Sequence, residues 1–285
     1  MLADRFIEID GLAIRTLKEG SGVPAILLHG NSLGSSADVF RRNLGPLADG
    51  GVRAIAFDMP GFGLSDKSPT FTASFRKGMV LKVMDALGLE RAALIAHSSA
   101  GNIGVGVALD DPQRVSHVII LGTGSLLPPL EGGAGKREGT AQARLEERMS
   151  RSEPTIEDTR KLLEANLFHH ELITGDELAL RHSRSIGKCF EAFVERSEAR
   201  KTAPGNGKGG KPTTPLWQQL AELKMPLLMI FGREDRGRAA ERAALLKEKF
   251  PELNLHMAEG CKHLVPWDAA DLFHELAVPF LTGPS

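Results

Sequence analysis

Short runs rich in apolar residues alternate with helical stretches along most of the chain. Ala25-Ile26-Leu27-Leu28 is wholly apolar and reads as a strand buried on both faces, Val52 to Phe57 as a second buried strand, and Ala92 to Ala96, Val115 to Leu121, Pro226 to Phe231 and Leu253 to Met257 as further strands of the core. Between them, 3.6-residue periodicity predicts helices over Ser74 to Leu87 (stopping at Gly88), Gly101 to Leu109, Ala239 to Phe250 and Ala269 to Phe280. Ala37 to Ala48 also reads as a helix, with Gly45-Pro46 expected to interrupt it. Only the beginning departs from this rhythm. Arg5 to Ile9 and Leu12 to Leu17 alternate apolar and polar residues around Asp10-Gly11, which predicts an antiparallel hairpin. Buried strands alternating with helices predict an α/β fold, a mainly parallel sheet with helices on both faces.

The texture changes at Thr123. A Pro- and Gly-rich loop (Leu127-Pro128-Pro129, Glu131 to Gly135) precedes mixed-charge helical stretches over Thr140 to Met149, Thr155 to Phe168, Asp176 to Ile186 and Lys188 to Arg200. Ala203 to Thr214 is low in complexity and is expected to be mobile. Strand–helix alternation resumes at Pro226. The expected organisation is therefore a core of residues 1–122 and 223–285 with a helical cap, 123–222, inserted between its strands.

In sheets of this kind ligands sit beyond the carboxyl ends of the strands, and His29, Asp58, Ser98 and Gly122 all lie there. The stretch Ala96-His97-Ser98-Ser99-Ala100-Gly101 places a serine on a sharp strand-to-helix turn flanked by small residues. This is the arrangement of a nucleophile elbow, with alanine in place of both usual glycines. Were Ser99 the nucleophile, bulky His97 would occupy the small position two residues before it, so Ser98 is preferred. A serine hydroxyl needs a base, and the base an orienting acid. Asp235, with Glu234 as its rival, follows one core strand, and His263 follows the last, in the chain order Ser, Asp, His. The N–H of Ser99 and that of Asn31 or Ser32 are candidate oxyanion donors. His29 is expected to brace its loop and Cys261 to be a packed thiol.

Composition narrows the partners. The chain has 285 residues, 42% hydrophobic and 25% charged, with formal net charge −1. That balance gives no electrostatic reason to expect nucleic acid or an anionic membrane. There is no apolar run of the roughly 20 residues that span a bilayer and no charged-then-apolar leader. Two cysteines, Cys189 and Cys261, make no disulfide framework, so a cytoplasmic location is expected. The partner expected is a small-molecule substrate; a homodimer is compatible with the sequence but not required by it. His169-His170-Glu171 lacks metal-ligand spacing and Gly135-Lys136 lacks a phosphate-loop frame, so no metal site is expected.

Taken together, Leu28-His29-Gly30-Asn31-Ser32, Asp58 to Asp66, the Ser98 elbow, Gly232 to Asp235 and Gly260 to His263 resemble the signature loops of the α/β-hydrolase family, in order and spacing. The resemblance implies a serine hydrolase needing no cofactor. Within the family, Phe40 to Leu44, Asp58 to Asp66 and Gly232 to Arg236 look most like the hydrolases that cleave a carbon–carbon bond in ring-opened aromatic (meta-cleavage) products. These bind a dienoate carboxylate with a cap arginine, a role the resemblance gives to Arg184. Relatives carry asparagine where this chain has His97 and Val39, and tryptophan where it has Leu264.

The leading expectation is hydrolysis of a small, largely apolar carboxylic ester through an acyl-enzyme on Ser98. Leu126, Leu127, Phe168, Phe190 and Phe193 of the cap would set specificity. The alternative is carbon–carbon hydrolysis of a 2-hydroxy-6-oxo-dienoate. A reading from another class is a ligand sensor that keeps the triad.

Overall fold

A computed structural model describes residues 2–68, 70–131, 145, 147–149, 151–202 and 214–283. Eight strands form one sheet: β1 (Arg5–Ile9), β2 (Leu12–Glu19), β3 (Val23–Leu28), β4 (Val52–Phe57), β5 (Ala92–His97), β6 (Val115–Leu121), β7 (Leu227–Gly232) and β8 (Asn254–Ala258). Their spatial order is β1-β2-β4-β3-β5-β6-β7-β8. The hairpin β1–β2 pairs antiparallel and β2 joins β4 antiparallel, while every pairing from β4 through β8 is parallel.

The period of two along each strand sorts the core onto the two faces of the sheet. Ile26, Leu28, Leu94, Ala96, Met229 and Phe231 pack on one side, against α2 (Ala73–Ala86), α3 (Ala100–Asp110) and the helix Ala239–Lys249. Their alternates Ala25, Leu27, Ala93, Ile95, Leu228 and Ile230 pack on the other, against α1 (Arg41–Asp49) and the last helix, Ala270–Thr282. With apolar side chains on both faces, the central strands β3, β5 and β7 read as nearly unbroken hydrophobic runs. All six residues of β5 are buried.

The expected break at Gly45-Pro46 is corrected. The α1 helix runs through Pro46, held by the fully buried Leu44 and Leu47 on either side of it. Proline removes one backbone donor, and packing outweighs that loss. The change of geometry comes earlier, where a 3-10 turn over Ala37–Phe40 passes into α1. One element escaped the periodicity: a single helical turn over Val265–Asp268, with proline at its start.

Between β6 and β7 the described residues hold helices and no strand. The longer ones are α4 (Ile156–Asn166), α5 (Gly175–Ser183) and α6 (Lys188–Thr202). Thr155 caps α4 in a reciprocal capping box with Asp158, and Thr174 caps α5. Most of the helix expected at Thr140 to Met149, and residues 203–213 of the low-complexity stretch, lie outside the described residues. No described helix is long and apolar enough to cross a membrane.

Candidate active site

At the carboxyl end of β5 the chain turns within two residues into α3, and Ser98 takes φ 57° there. A non-glycine residue in this left-handed region is strained. The strain is held from both sides: Ser98 N–H donates to Leu121 C=O at 2.8 Å, and the Thr123 hydroxyl donates to Ser98 C=O at 2.5 Å. The small neighbours follow from crowding. A Cβ at Gly101 would come within 2.2 Å of Thr123 Oγ1, and one at Gly104 within 3.3 Å of the Ala96 Cβ.

Ser98 Oγ lies 2.8 Å from His263 Nε2, and His263 Nδ1 lies 3.0 Å from Asp235 Oδ2. His263 and Asp235 are both buried. Burial alone pushes the Asp235 carboxyl up, but the facing His263 imidazole and Arg236 hold it below its ordinary range. Asp235 Oδ1 also accepts the Arg236 N–H at 2.7 Å. Glu234, the rival acid, accepts the Cys261 N–H at 2.9 Å and so serves the loop. Cys261 is buried, and that burial pushes its thiol upward, away from the reactive thiolate.

His97 is buried beside His263. Its Nε2–H donates to the backbone C=O of His263 at 2.9 Å, and the two rings lie 5.2 Å apart. Burial first, and then the neighbouring His263 charge, bring the His97 pKa down to about 3, so the ring stays neutral. His29 braces its loop as expected: Nδ1–H donates to Gly30 C=O at 2.7 Å and Nε2 accepts the Met59 N–H at 3.0 Å. Gly30 packs so close to Ser98 that a Cβ there would sit 3.0 Å from the Ser98 Cβ. The Asn31–Ser32 backbone therefore runs beside the elbow, with Ser99 following the serine on the other side.

Asp58 is structural. It accepts N–H groups from Ala37 (2.6 Å) and Leu64 (2.8 Å) and pairs with the wholly buried Arg15 at 3.1 Å. Arg15 also pairs with Asp38 at 2.6 Å, and Asp38 accepts Arg184 Nε at 3.0 Å. The expectation for Arg184 is thus corrected. Its side chain, only 12% exposed, is paired across the fold with Asp38 rather than left open to a substrate carboxylate. One turn earlier, Arg181 reaches the loop after β3, donating to Ser32 Oγ at 3.1 Å and to Leu33 C=O at 3.0 Å. Its charge also depresses the His29 and His97 pKa values. Sequence reasoning missed Arg181, although the three-residue spacing between the two arginines put both within reach of one helix face.

Phe168 is also corrected. It is 46% exposed and lies against His169 and Gly260. Phe193 and the half-buried Phe190 instead pack with Leu33, Met149 and Leu162. Leu126 and Leu127 are buried in the core next to α3, and Val39 and Leu264 in the opposite cluster. Val39 C=O accepts the Trp267 indole N–H at 2.9 Å.

Asn166, at the end of α4, is a second residue that periodicity did not reveal. Its C=O accepts both the His263 and Leu264 N–H groups at 3.0 Å, and its side chain accepts Arg236 at 2.5 Å. The loop that carries His263 is thus tied to the helical segment.

Residues 24–270 match the family model described as alpha/beta hydrolase fold. A 2-hydroxy-6-oxononadienedioate/2-hydroxy-6-oxononatrienedioate hydrolase of Burkholderia vietnamiensis is 30% identical, over 95% of this chain and 92% of its own length. A 2-hydroxy-6-oxo-6-phenylhexa-2,4-dienoate hydrolase of Burkholderia cepacia is 30% identical, over 93% and 89%. Among solved structures, a meta-cleavage product hydrolase of Pseudomonas fluorescens superimposes with TM-score 0.76 at 25% identity, covering 98% of this chain and 97% of that one.

Proposed function

The chain belongs to the α/β-hydrolase family and is a hydrolase; on that premise we propose that it cleaves the carbon–carbon bond next to the ketone of a 2-hydroxy-6-oxo-dienoate. The observation that carries this reading is Arg181, a guanidinium from α5 set against the loop beside Ser98. A largely apolar ester needs no such cation, whereas a dienoate presents a carboxylate to it. The names of the relatives support the same choice and weigh against the ester reading expected from sequence.

In this reading His263, oriented by Asp235, takes the Ser98 proton as Oγ adds to the C6 carbonyl. The amides of Ser99 and of Asn31 or Ser32 hold the oxyanion. Enol-to-keto tautomerisation of the dienol first places a proton on C5. The C5–C6 bond then breaks with its electron pair delocalised into the conjugated 2-oxo carboxylate, and His263 returns a proton. Water, activated by the same imidazole, releases the acid from Ser98. One substrate and one water thus give a carboxylic acid and a 2-hydroxydienoate.

The segment 123–222 acts as a cap in this scheme. It supplies Arg181 directly, and Asn166 positions the base. The buried, unbridged Cys189 and Cys261 support a cytoplasmic setting.

Incubation with 2-hydroxy-6-oxo-6-phenylhexa-2,4-dienoate tests the reading. Rapid loss of the dienolate's visible absorbance, with repeated turnover, is the expected result. Hydrolysis of p-nitrophenyl esters without dienoate turnover would restore the ester reading, and a single slow turnover would favour a sensor.

A further inference from the structure

The loops that carry Asp235 and His263 meet at one residue from outside the sheet. Asn166, buried at the end of α4, accepts the His263 and Leu264 N–H groups at its backbone carbonyl. Its side-chain oxygen accepts Arg236 Nη1 at 2.5 Å, and its amide nitrogen donates to Leu162 C=O at 2.6 Å. Arg236 is thereby held beside the acid. Its own N–H donates to Asp235 Oδ1 at 2.7 Å, and its charge helps keep that carboxyl ionised. An amide is neutral, so the contact with Asn166 places the guanidinium without cancelling its charge. Arg184 differs, because the carboxylate of Asp38 meets it.

A general base must be unprotonated before it can accept a proton. The Asp235 carboxylate, 3.0 Å from His263 Nδ1, favours the charged imidazolium, and a cation beside the carboxylate opposes that pull. The other groups about the pair are otherwise engaged. Arg242 donates to the Gly124, Leu127 and Pro128 carbonyls, and Arg181 to the loop after β3. Glu234 and Asp268 accept N–H groups of the loop that carries His263. Burial keeps His97 and the Cys261 thiol neutral. Arg236 is bonded to the acid through its own backbone.

We propose that Arg236, pinned by Asn166, is a positioning residue for the triad: its charge beside Asp235 keeps the His263 imidazole unprotonated and ready to take the Ser98 proton. The carboxylate stays ionised and still orients the ring, while the second cation limits how strongly it draws a proton to Nε2. Asn166 belongs to the segment between β6 and β7, so that segment sets the readiness of the base as well as supplying Arg181. This assignment rests on the roles given above to Ser98, Asp235 and His263, whichever bond is cleaved.

The test has two arms, and the first needs no turnover. The imidazole of His263 is titrated by NMR in the wild-type protein, in Arg236→Met, in Arg236→Lys and in Asn166→Leu. Arg236→Met is expected to raise the His263 pKa by about half a unit or more, the scale of one charge acting across a partly buried site. Arg236→Lys keeps the charge but loses the planar fork, so its value is expected to stay close to that of wild type. Asn166→Leu retains the backbone carbonyl that holds His263 and frees only the guanidinium. It is expected to move the pKa in the same direction by a smaller amount. Equal shifts in Arg236→Met and Arg236→Lys, or no shift in Arg236→Met, reduce Arg236 to a cross-link between segments and overturn the assignment. Should Arg236→Met fail to fold, Asn166→Leu decides against Arg236→Lys: a pKa raised in the first alone supports the assignment, and equal values overturn it.

In the second arm, kcat/KM is followed against pH with the 6-phenyl dienoate, or with a p-nitrophenyl ester if only that is cleaved. The acid limb is expected to move to higher pH in Arg236→Met by the same amount as the imidazole, and a limb that stays in place overturns the assignment. Turnover of neither substrate, beside an imidazole that still follows the charge at position 236, would count against the dienoate and ester readings and leave the role of Arg236 standing.

Discussion

The imidazole of His97 donates from Nε2 to the backbone carbonyl of His263 at 2.9 Å, so the residue before Ser98 holds the residue proposed as the base. Burial keeps His97 neutral, and the accepting carbonyl fixes its tautomer, with Nδ1 left unprotonated. Replacing His97 by alanine removes the tether and leaves a buried carbonyl unsatisfied. The expected outcome is a fall in kcat of about tenfold or more through misalignment, with asparagine recovering part of it as a donor. Steady-state kinetics on both variants, beside their melting temperatures, separates misalignment from unfolding.

Ser98→Ala is expected to lower kcat by at least about 10³-fold and to leave dienoate binding measurable by its absorbance shift. Asp235→Asn keeps the shape but not the charge that orients the imidazole, so a loss of about 10³- to 10⁴-fold is expected. Stopped-flow absorbance with the dienoate checks both. A Ser98→Ala enzyme turning over at the wild-type rate would remove the nucleophile from the scheme.

The two neighbouring arginines should part ways. Arg181→Met is expected to raise KM for the dienoate by about tenfold or more, since a charge-assisted hydrogen bond contributes roughly 1.5–3 kcal/mol. Arg184→Met is expected to cost about 2 kcal/mol of stability through loss of its bond to Asp38, with a far smaller change in KM. Urea melts and Michaelis–Menten curves on the pair distinguish the roles.

Asp38 sets an acid limit on the fold. Burial pushes its carboxyl up, but Arg15, Arg41 and Arg184 hold it well below the usual carboxylate range. A carboxyl depressed in the folded state contributes stability above its unfolded pKa and loses it as pH falls toward the folded value. Stability is thus expected to be level near neutrality with respect to this group and to decline below about pH 4. Asp38→Asn should flatten that decline while lowering stability at pH 7, as read by urea melts across the pH range.

Much of the framework was legible because it depends on local rules. All six strands from β3 to β8 fall within two residues of their expected bounds, and the central ones announced themselves as apolar runs because a sheet covered on both faces favours apolar positions throughout. Ser98, Asp235 and His263 were legible for a related reason. Each ends a strand or follows one, so chain order and strand ends together imply convergence. Pro46 shows the limit of a local rule, because its helix survives on the burial of Leu44 and Leu47, which come from the tertiary packing.

By itself, then, the sequence determined the α/β architecture, the elbow and the three residues that meet at it, because hydrophobic period and strand order are properties of the chain. Only the tertiary structure decided which arginine serves which purpose. Arg181 and Arg184 look alike in one dimension. Their surroundings differ because folding sets the Asp38 carboxylate opposite one and the Leu33 carbonyl opposite the other. That is a matter of distances between segments more than 100 residues apart, such as Asp38 and Arg184, and no local pattern encodes it.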